Sequence, residues 1–119
     1  MRSNAALLVL ATLSAGSAIA QTTALAVSEA ELAAALRRLV EALPGPPPGA
    51  SATEEDARQL LDRAQRAWTA ARDAQCALEA GLREGEDTAS HAARCAADAN
   101  RDRVRRLEEL ADLTLMSGP

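Results

Sequence analysis

"CALEAGLREGEDTASHAARC", residues 76–95, decides how this chain folds. It begins and ends on the only two cysteines, and its midpoint falls between Gly85 and Glu86. The residues on either side are mostly alanine, leucine, arginine and glutamate, which are strong helix formers. "EGEDTAS", residues 84–90, reads as a turn in which Gly85 is free to take a left-handed conformation. In an antiparallel helical hairpin, facing residues are equidistant from the turn. Cys76 and Cys95 therefore lie at one height, where a disulfide is geometrically reasonable. Closing a loop of this length contributes about 3 kcal/mol in the chain-entropy picture. A competing reading makes Cys76, Cys95 and His91 metal ligands, but there is no CxxC and no second histidine. Haem attachment would need CxxCH, and a redox pair is normally close in sequence.

Upstream of Cys76 the second helix is expected over 53–83, with Thr53 as its N-cap and three acids behind it. Positions 57, 61, 64, 68, 71, 75, 78 and 82 step by four and three, and form the predicted seam. Facing positions should sum to about 171, the sum of the two cysteine numbers. Trp68, the single tryptophan, then meets Arg103 and Val104, which offers a guanidinium over the indole. Arg72 falls near Ala99, within reach of Asp98 or Asp102. Trp68 reads as the largest plug in a thin core rather than as an exposed binding residue.

The third helix is expected over 90–113, with a stripe of Ala92, Cys95, Ala96, Ala99, Asn100, Arg103, Val104, Leu107, Leu110 and Ala111. A C-terminal tail, 114–119, follows. Further upstream, "SEAE" at 28–31 fits a capping box opening a first helix over 28–43. Leu32, Leu36, Leu39, Val40 and Leu43 share its apolar face. Pro44 ends it, and "PGPPPGAS" opens a stiff linker over 44–52. The expected fold is all-α: a disulfide-stapled antiparallel hairpin plus one N-terminal helix.

The chain begins "MRSNAALLVLATLSAGSAIAQTT". Arg2, an apolar run over 5–13 and the small residues Ala18 and Ala20 have the form of a signal peptide over 1–20, cleaved before Gln21. The apolar run is shorter than the roughly 18–20 residues of a spanning helix. Residues 21–27 would be a mature tail, and 28–113 the domain. Export places the chain in the periplasm or outside the cell, where disulfides persist. Alanine-rich, lysine-free composition points to a GC-rich bacterial source. Removing Arg2 leaves 12 arginines against 17 acids, a net charge of −5. That balance argues against nucleic acid, which needs a basic face. No later segment suits a membrane span, so stable insertion after cleavage is not expected. His91 is the only histidine, and no nucleophile–base pair, phosphate loop or metal cluster is evident. No enzyme, catalytic residue, cofactor or metal is expected.

Gln65, Trp68, Arg72, Asp73, Cys76 and Glu79 form "Q-x-x-W-x-x-x-R-D-x-x-C-x-x-E". This resembles the central segment of the LprI-like lysozyme-inhibitor domain. Cys95 with Arg103 and Leu107 is similar to the family's closing "C…R-x-x-x-L" segment, and "ELAAALRRLVEAL" resembles its leading helix. The resemblance spans roughly 29–113. Asn100 stands where a threonine is common, and Ala33 and Leu36 where the family has Asn and Tyr. It implies a small exported helical domain whose partner is a lysozyme-type muramidase, occluded without catalysis. The acidic balance would steer the chain to a basic enzyme, and the turn with Glu84, Glu86, Asp87 and His91 is the candidate contact. The alternative is a cell-envelope interaction module, since alanine-rich faces suit packing on another helix, including one from a second copy of the chain.

Overall fold

The computed structural model describes residues 4–49, 51, 55–83 and 87–117, with side chains from residue 18 onward. Three helices account for nearly all of them: α1 (Asn4–Ala42), α2 (Ala57–Leu82) and α3 (Thr88–Met116). No strand occurs among the described residues. The expected all-α hairpin with an added helix is the fold that forms.

The direction of each helix follows from its cross-links. Ser28 pairs with Asn100 and Arg38 with Glu108, at nearly constant sequence offset, so α1 and α3 run parallel. Cys76 with Cys95, Arg72 with Asn100, and Gln65 with Arg103 run in opposite order, so α2 is antiparallel to α3. The architecture is an up-down-up bundle with α3 in the middle, more extensively packed on α1 than on α2. It is a rod, 80 × 23 × 18 Å. The offset between α1 and α3 accounts for the length. Thr88, where α3 begins, aligns with about residue 16 of α1, so the first turns of α1 project past the bundle.

The core is thin. Leu32, Ala35 and Leu39 from α1, Leu61 from α2 and Leu107 from α3 form one buried cluster, with Leu36, Leu43, Trp68, Val104, Leu110 and Ala111 against it. Leu107 is fully enclosed, a position where truncation to Ala typically costs about 2–5 kcal/mol. Most ion pairs lie on the surface, such as Arg38–Glu108, Arg63–Glu55 and Arg101–Asp98. Each contributes about 0–1 kcal/mol at such exposure. Burial outweighs them.

Four helix boundaries differ from the sequence expectation by more than one residue. The helix expected over 28–43 with a tail at 21–27 is one continuous helix from Asn4. The Thr22 and Thr23 hydroxyls donate back to the carbonyls of Ala18 and Ile19, so these residues are accommodated inside the helix. Ser28 caps nothing. Its buried hydroxyl donates to the Leu25 carbonyl at 2.8 Å. The second helix starts at Ala57 rather than 53, because Asp56 and Gln59 make the reciprocal capping box, both bonds 2.9 Å. The expected cap, Thr53, lies outside the described residues. The third helix starts at Thr88 rather than Ser90, capped by Asp87, and runs past Leu113 to Met116. Ser117 closes it through backbone and hydroxyl bonds to the Leu113 carbonyl. In the linker, Gly49 has φ +83, a conformation side chains disfavour. Gly85 and its neighbours Glu84 and Glu86 lie outside the described residues.

The Cys76–Cys95 disulfide is formed, with Cα atoms 5.6 Å apart. It ties the less extensively packed α2 to α3. Replacing both cysteines with serine is expected to lower the unfolding free energy by about 3 kcal/mol, read from urea denaturation. A loss below about 1 kcal/mol would mean that packing alone holds α2.

Candidate functional site

The inward face of α2 is not the alternating seam the sequence suggests. Ala64, Ala71 and Gln75 are exposed, as are Leu78 and Leu82 at 57% and 72%. Leu61, Gln65, Trp68, Arg72, Cys76, Glu79 and Ala80 turn inward instead. A straight helix drifts about 20° per heptad from a strict seven-residue repeat. Over 26 residues the drift carries the contact line off the apolar positions and onto polar ones.

Those polar residues build one continuous network. The Arg72 side chain is 11% exposed. It donates through Nη1 to Asn100 Oδ1 at 2.8 Å and to Glu29 Oε1 at 3.1 Å, and through Nε to Asp73 Oδ1 at 2.9 Å. Asn100, wholly buried, donates through Nδ2 to Ser28 Oγ at 3.1 Å. One residue from each helix thus meets at a single point. Charge-assisted bonds of this kind are about twice as strong as neutral ones. The expected Arg72 partners are corrected. Asp98 and Asp102 turn outward to Arg101 and Arg105, one helical turn along α3.

Trp68 lies half-buried between two guanidiniums, with Arg72 Cζ 5.3 Å and Arg103 Cζ 5.6 Å from the ring centroid. The predicted approach of Arg103 is found, and the contact with Arg72 adds to it. Arg103 Nε donates to Gln65 Oε1 at 3.0 Å. Burial, followed by repulsion from Arg106, pulls the Arg103 pKa down.

Behind the disulfide, Glu79 collects a second cluster. Its Oε1 accepts from Gln75 Nε2 at 3.1 Å, and its Oε2 lies 3.2 Å from Cys95 Sγ and 3.8 Å from His91 Nε2. His91 Nδ1 lies 3.0 Å from an Arg94 nitrogen, which can only donate, so Nδ1 accepts there. His91 is buried at 5% exposure. Of the four residues read as a partner contact, His91 therefore points into the bundle. Asp87 is exposed but occupied, since its carboxylate accepts from the Ala89 and Ser90 amides and the Ser90 hydroxyl. Those bonds, the Ser90 hydroxyl foremost, hold its pKa below the usual carboxylate range. Glu84 and Glu86 lie outside the described residues.

Every motif residue thus has a place in the scaffold. Gln65, Trp68, Arg72, Glu79 and Arg103 line the α2–α3 junction, Asp73 holds Arg72 from the exposed side, and Leu107 fills the core. Sequence reasoning missed Ser28 and Glu29 as their partners, because "SEAE" reads as a cap. A lone asparagine on the apolar stripe of α3 was the signal that a buried polar partner exists. Among the described residues, no group of acidic, histidine or cysteine side chains could hold a metal ion. No helix there is long and apolar enough to cross a membrane.

The fold and its network define a small, disulfide-stapled helical bundle whose special residues serve architecture. The family follows from the same residues: the chain belongs to the family described as lysozyme inhibitor LprI, whose model matches residues 12–107. That match extends upstream of the leading-helix resemblance, into the part of α1 before Ser28. Neither curated proteins nor solved structures give a match. The family is named for inhibiting an enzyme, not for catalysis.

Asn100→Leu should destabilise the bundle by about 1–3 kcal/mol, since it strips Arg72 and Ser28 of a buried partner. Asp98→Ala should stay within about 0.5 kcal/mol, as an exposed residue. Equal urea midpoints for the two variants would remove the network from its central place. The Asp87 cap gives a pH signature of known sign. A depressed folded pKa contributes stability that is complete above the unfolded aspartate value of about 3.9 and is lost as pH falls through the folded value. Asp87→Asn should flatten that acid limb of the thermal midpoint against pH.

Proposed function

We propose that this protein is an exported inhibitor that binds a lysozyme-type muramidase and occludes its cleft without catalysis. The family match over 12–107 carries the reading. The contact surface is part of the same proposal. The motif is consumed by the scaffold, so recognition falls to surfaces the motif supports. Chief among these is the hairpin tip between Arg83 and Asp87, with the Cys76–Cys95 bond just behind it. Glu84 and Glu86 give the tip its charge, and the chain's overall −4 favours a basic enzyme. Leu78 and Leu82, exposed on α2 beside the tip, add apolar area.

Export by cleavage before Gln21 supports the same reading. It would remove none of the α1 residues in the buried core, which begin at Ser28. Residues 21–27 would remain as the first turns of α1. The periplasm or the extracellular space would keep the disulfide oxidised.

The test is a cell-wall lysis assay with hen and human lysozyme and the purified, oxidised protein. Dose-dependent inhibition, lost on reduction, is expected. The Glu84→Lys/Glu86→Lys double variant, which leaves the Asp87 cap intact, should weaken inhibition at least about tenfold, or 1.4 kcal/mol. An unchanged inhibition constant in that variant would move the contact away from the tip. No inhibition at micromolar protein with native helicity would favour an envelope interaction module instead.

A further inference from the structure

At the end of the rod opposite the disulfide, the three helices part around a cleft of about 880 Å³. Its walls are Leu39 and Leu43 of α1, Leu60 and Leu61 of α2, and Leu110 and Leu113 of α3. The polar side chains at its α3 end, Thr114 and Ser117, spend their hydroxyls on their own helix. On α3 the lining runs from Arg103 to Ser117. At about 1.5 Å per residue that is a trough roughly 20 Å long. Leu60 and Leu113 remain 45% and 55% exposed at its mouth. A volume of this size lies within the range of small-molecule sites, about 300–1,000 Å³.

The inner end of the trough is charged. Arg103 stands there, half-buried over Trp68, with its Nε given to Gln65. Among the described residues it pairs with no carboxylate. Arg106, a second guanidinium of the lining, is held by Glu109 at 3.0 Å and adds to the positive field at Arg103. The two terminal nitrogens of Arg103 make no hydrogen bond among the described residues, so the edge that meets a carboxylate in a forked pair is open.

We propose that this cleft binds a single-chain amphiphile with a terminal carboxylate, of the fatty-acid class, its head on Arg103 and its chain along the leucines. Charge complementarity selects the head, because a half-buried cation beside an apolar trough lacks only its anion. Length selects the tail: one acyl chain covers half of a bilayer's hydrocarbon core, about 15 Å of its roughly 30 Å. The trough holds one such chain with its head at the inner end. This site is separate from the hairpin tip and does not depend on lysozyme inhibition.

The experiment uses the whole chain and its own reporter, because Trp68 is the only tryptophan, no tyrosine is present, and Arg103 covers the indole. Titration with dodecanoate below its micelle concentration should shift Trp68 emission and saturate at one ligand per chain, with calorimetry giving the same stoichiometry. Dodecyltrimethylammonium, of equal chain length and opposite charge, should bind at least tenfold more weakly. Arg103→Gln should weaken dodecanoate at least tenfold. Should that variant lose helicity, Leu60→Glu places a repelling carboxylate at the exposed mouth and should weaken it similarly. No saturable binding of dodecanoate overturns the proposal. So does equal affinity for the cationic amphiphile, which would make the cleft merely apolar. A concentration-dependent dimer that excludes dodecanoate would also overturn it and assign the cleft to a second copy.

Discussion

The bundle turns on the meeting of Arg72, Asn100 and Ser28, where a charged side chain from α2 is held by an amide on α3 that is itself held by a hydroxyl on α1. Taking a guanidinium out of water is expensive, and even a well-paired buried charge adds little net stability. Its value here lies in alignment. Helices faced with alanine offer few distinctive knobs, so their register is poorly set by packing. A slip of α2 by one turn would set Arg72 against Ala96 or Val104, where no side chain can accept its hydrogen bonds. A buried unpaired charge costs several kcal/mol, more than the thin leucine cluster gains by any alternative packing. The disulfide fixes the same register independently, since Cys76 and Arg72 lie four residues apart on one face of α2. Two devices of different chemistry select one alignment.

Much of this was legible before any coordinates. Equal distance from the turn placed the cysteines together, and the same sum placed Arg103 over Trp68. Every residue of the expected α3 stripe from Ala92 to Ala111 is at least half-buried, because that helix is packed on two sides, but the stripe omits the buried Ala97 and His91. α2 was misread because it is less extensively packed than the other two helices. There the apolar pattern is weak, and arginine and glutamine at the contact line look like surface residues. The boundaries failed for a local reason. Ser28 and Thr53 satisfy the composition of a cap, but capping depends on whether the preceding residues leave the helix. The alanines and threonines before Ser28 do not.

The motif that marks the family therefore describes a fold more than an activity. Trp68, Arg72, Asp73, Cys76 and Glu79 are spaced so that one face of α2 can carry a cation–π stack, a buried ion network and a staple in succession. A motif of this kind leaves the outer surface unconstrained, and function must be argued from what that surface presents. Of the turn residues, Asp87 belongs to that surface and His91 does not. Its imidazole is buried, with Nε2 3.8 Å from Glu79 Oε2.

The two ends of the rod differ for the same reason. Polar and covalent cross-links are concentrated between Arg72 and Cys95, and the leucines lie beyond Trp68. At the stapled end the helices are drawn together around small residues, Ala80, Ala97 and the cysteines. At the other end Arg58 of α2 donates to the Leu43 carbonyl at the end of α1, and leucines of all three helices line the cleft. Trp68 marks the boundary. Of the two guanidiniums over its ring, Arg72 belongs to the polar network and Arg103 to the lining of the cleft. The single tryptophan of the chain sits where a polar junction gives way to an apolar one. An indole suits that position because its broad face is apolar enough to close the leucine cluster and electron-rich enough to hold two cations.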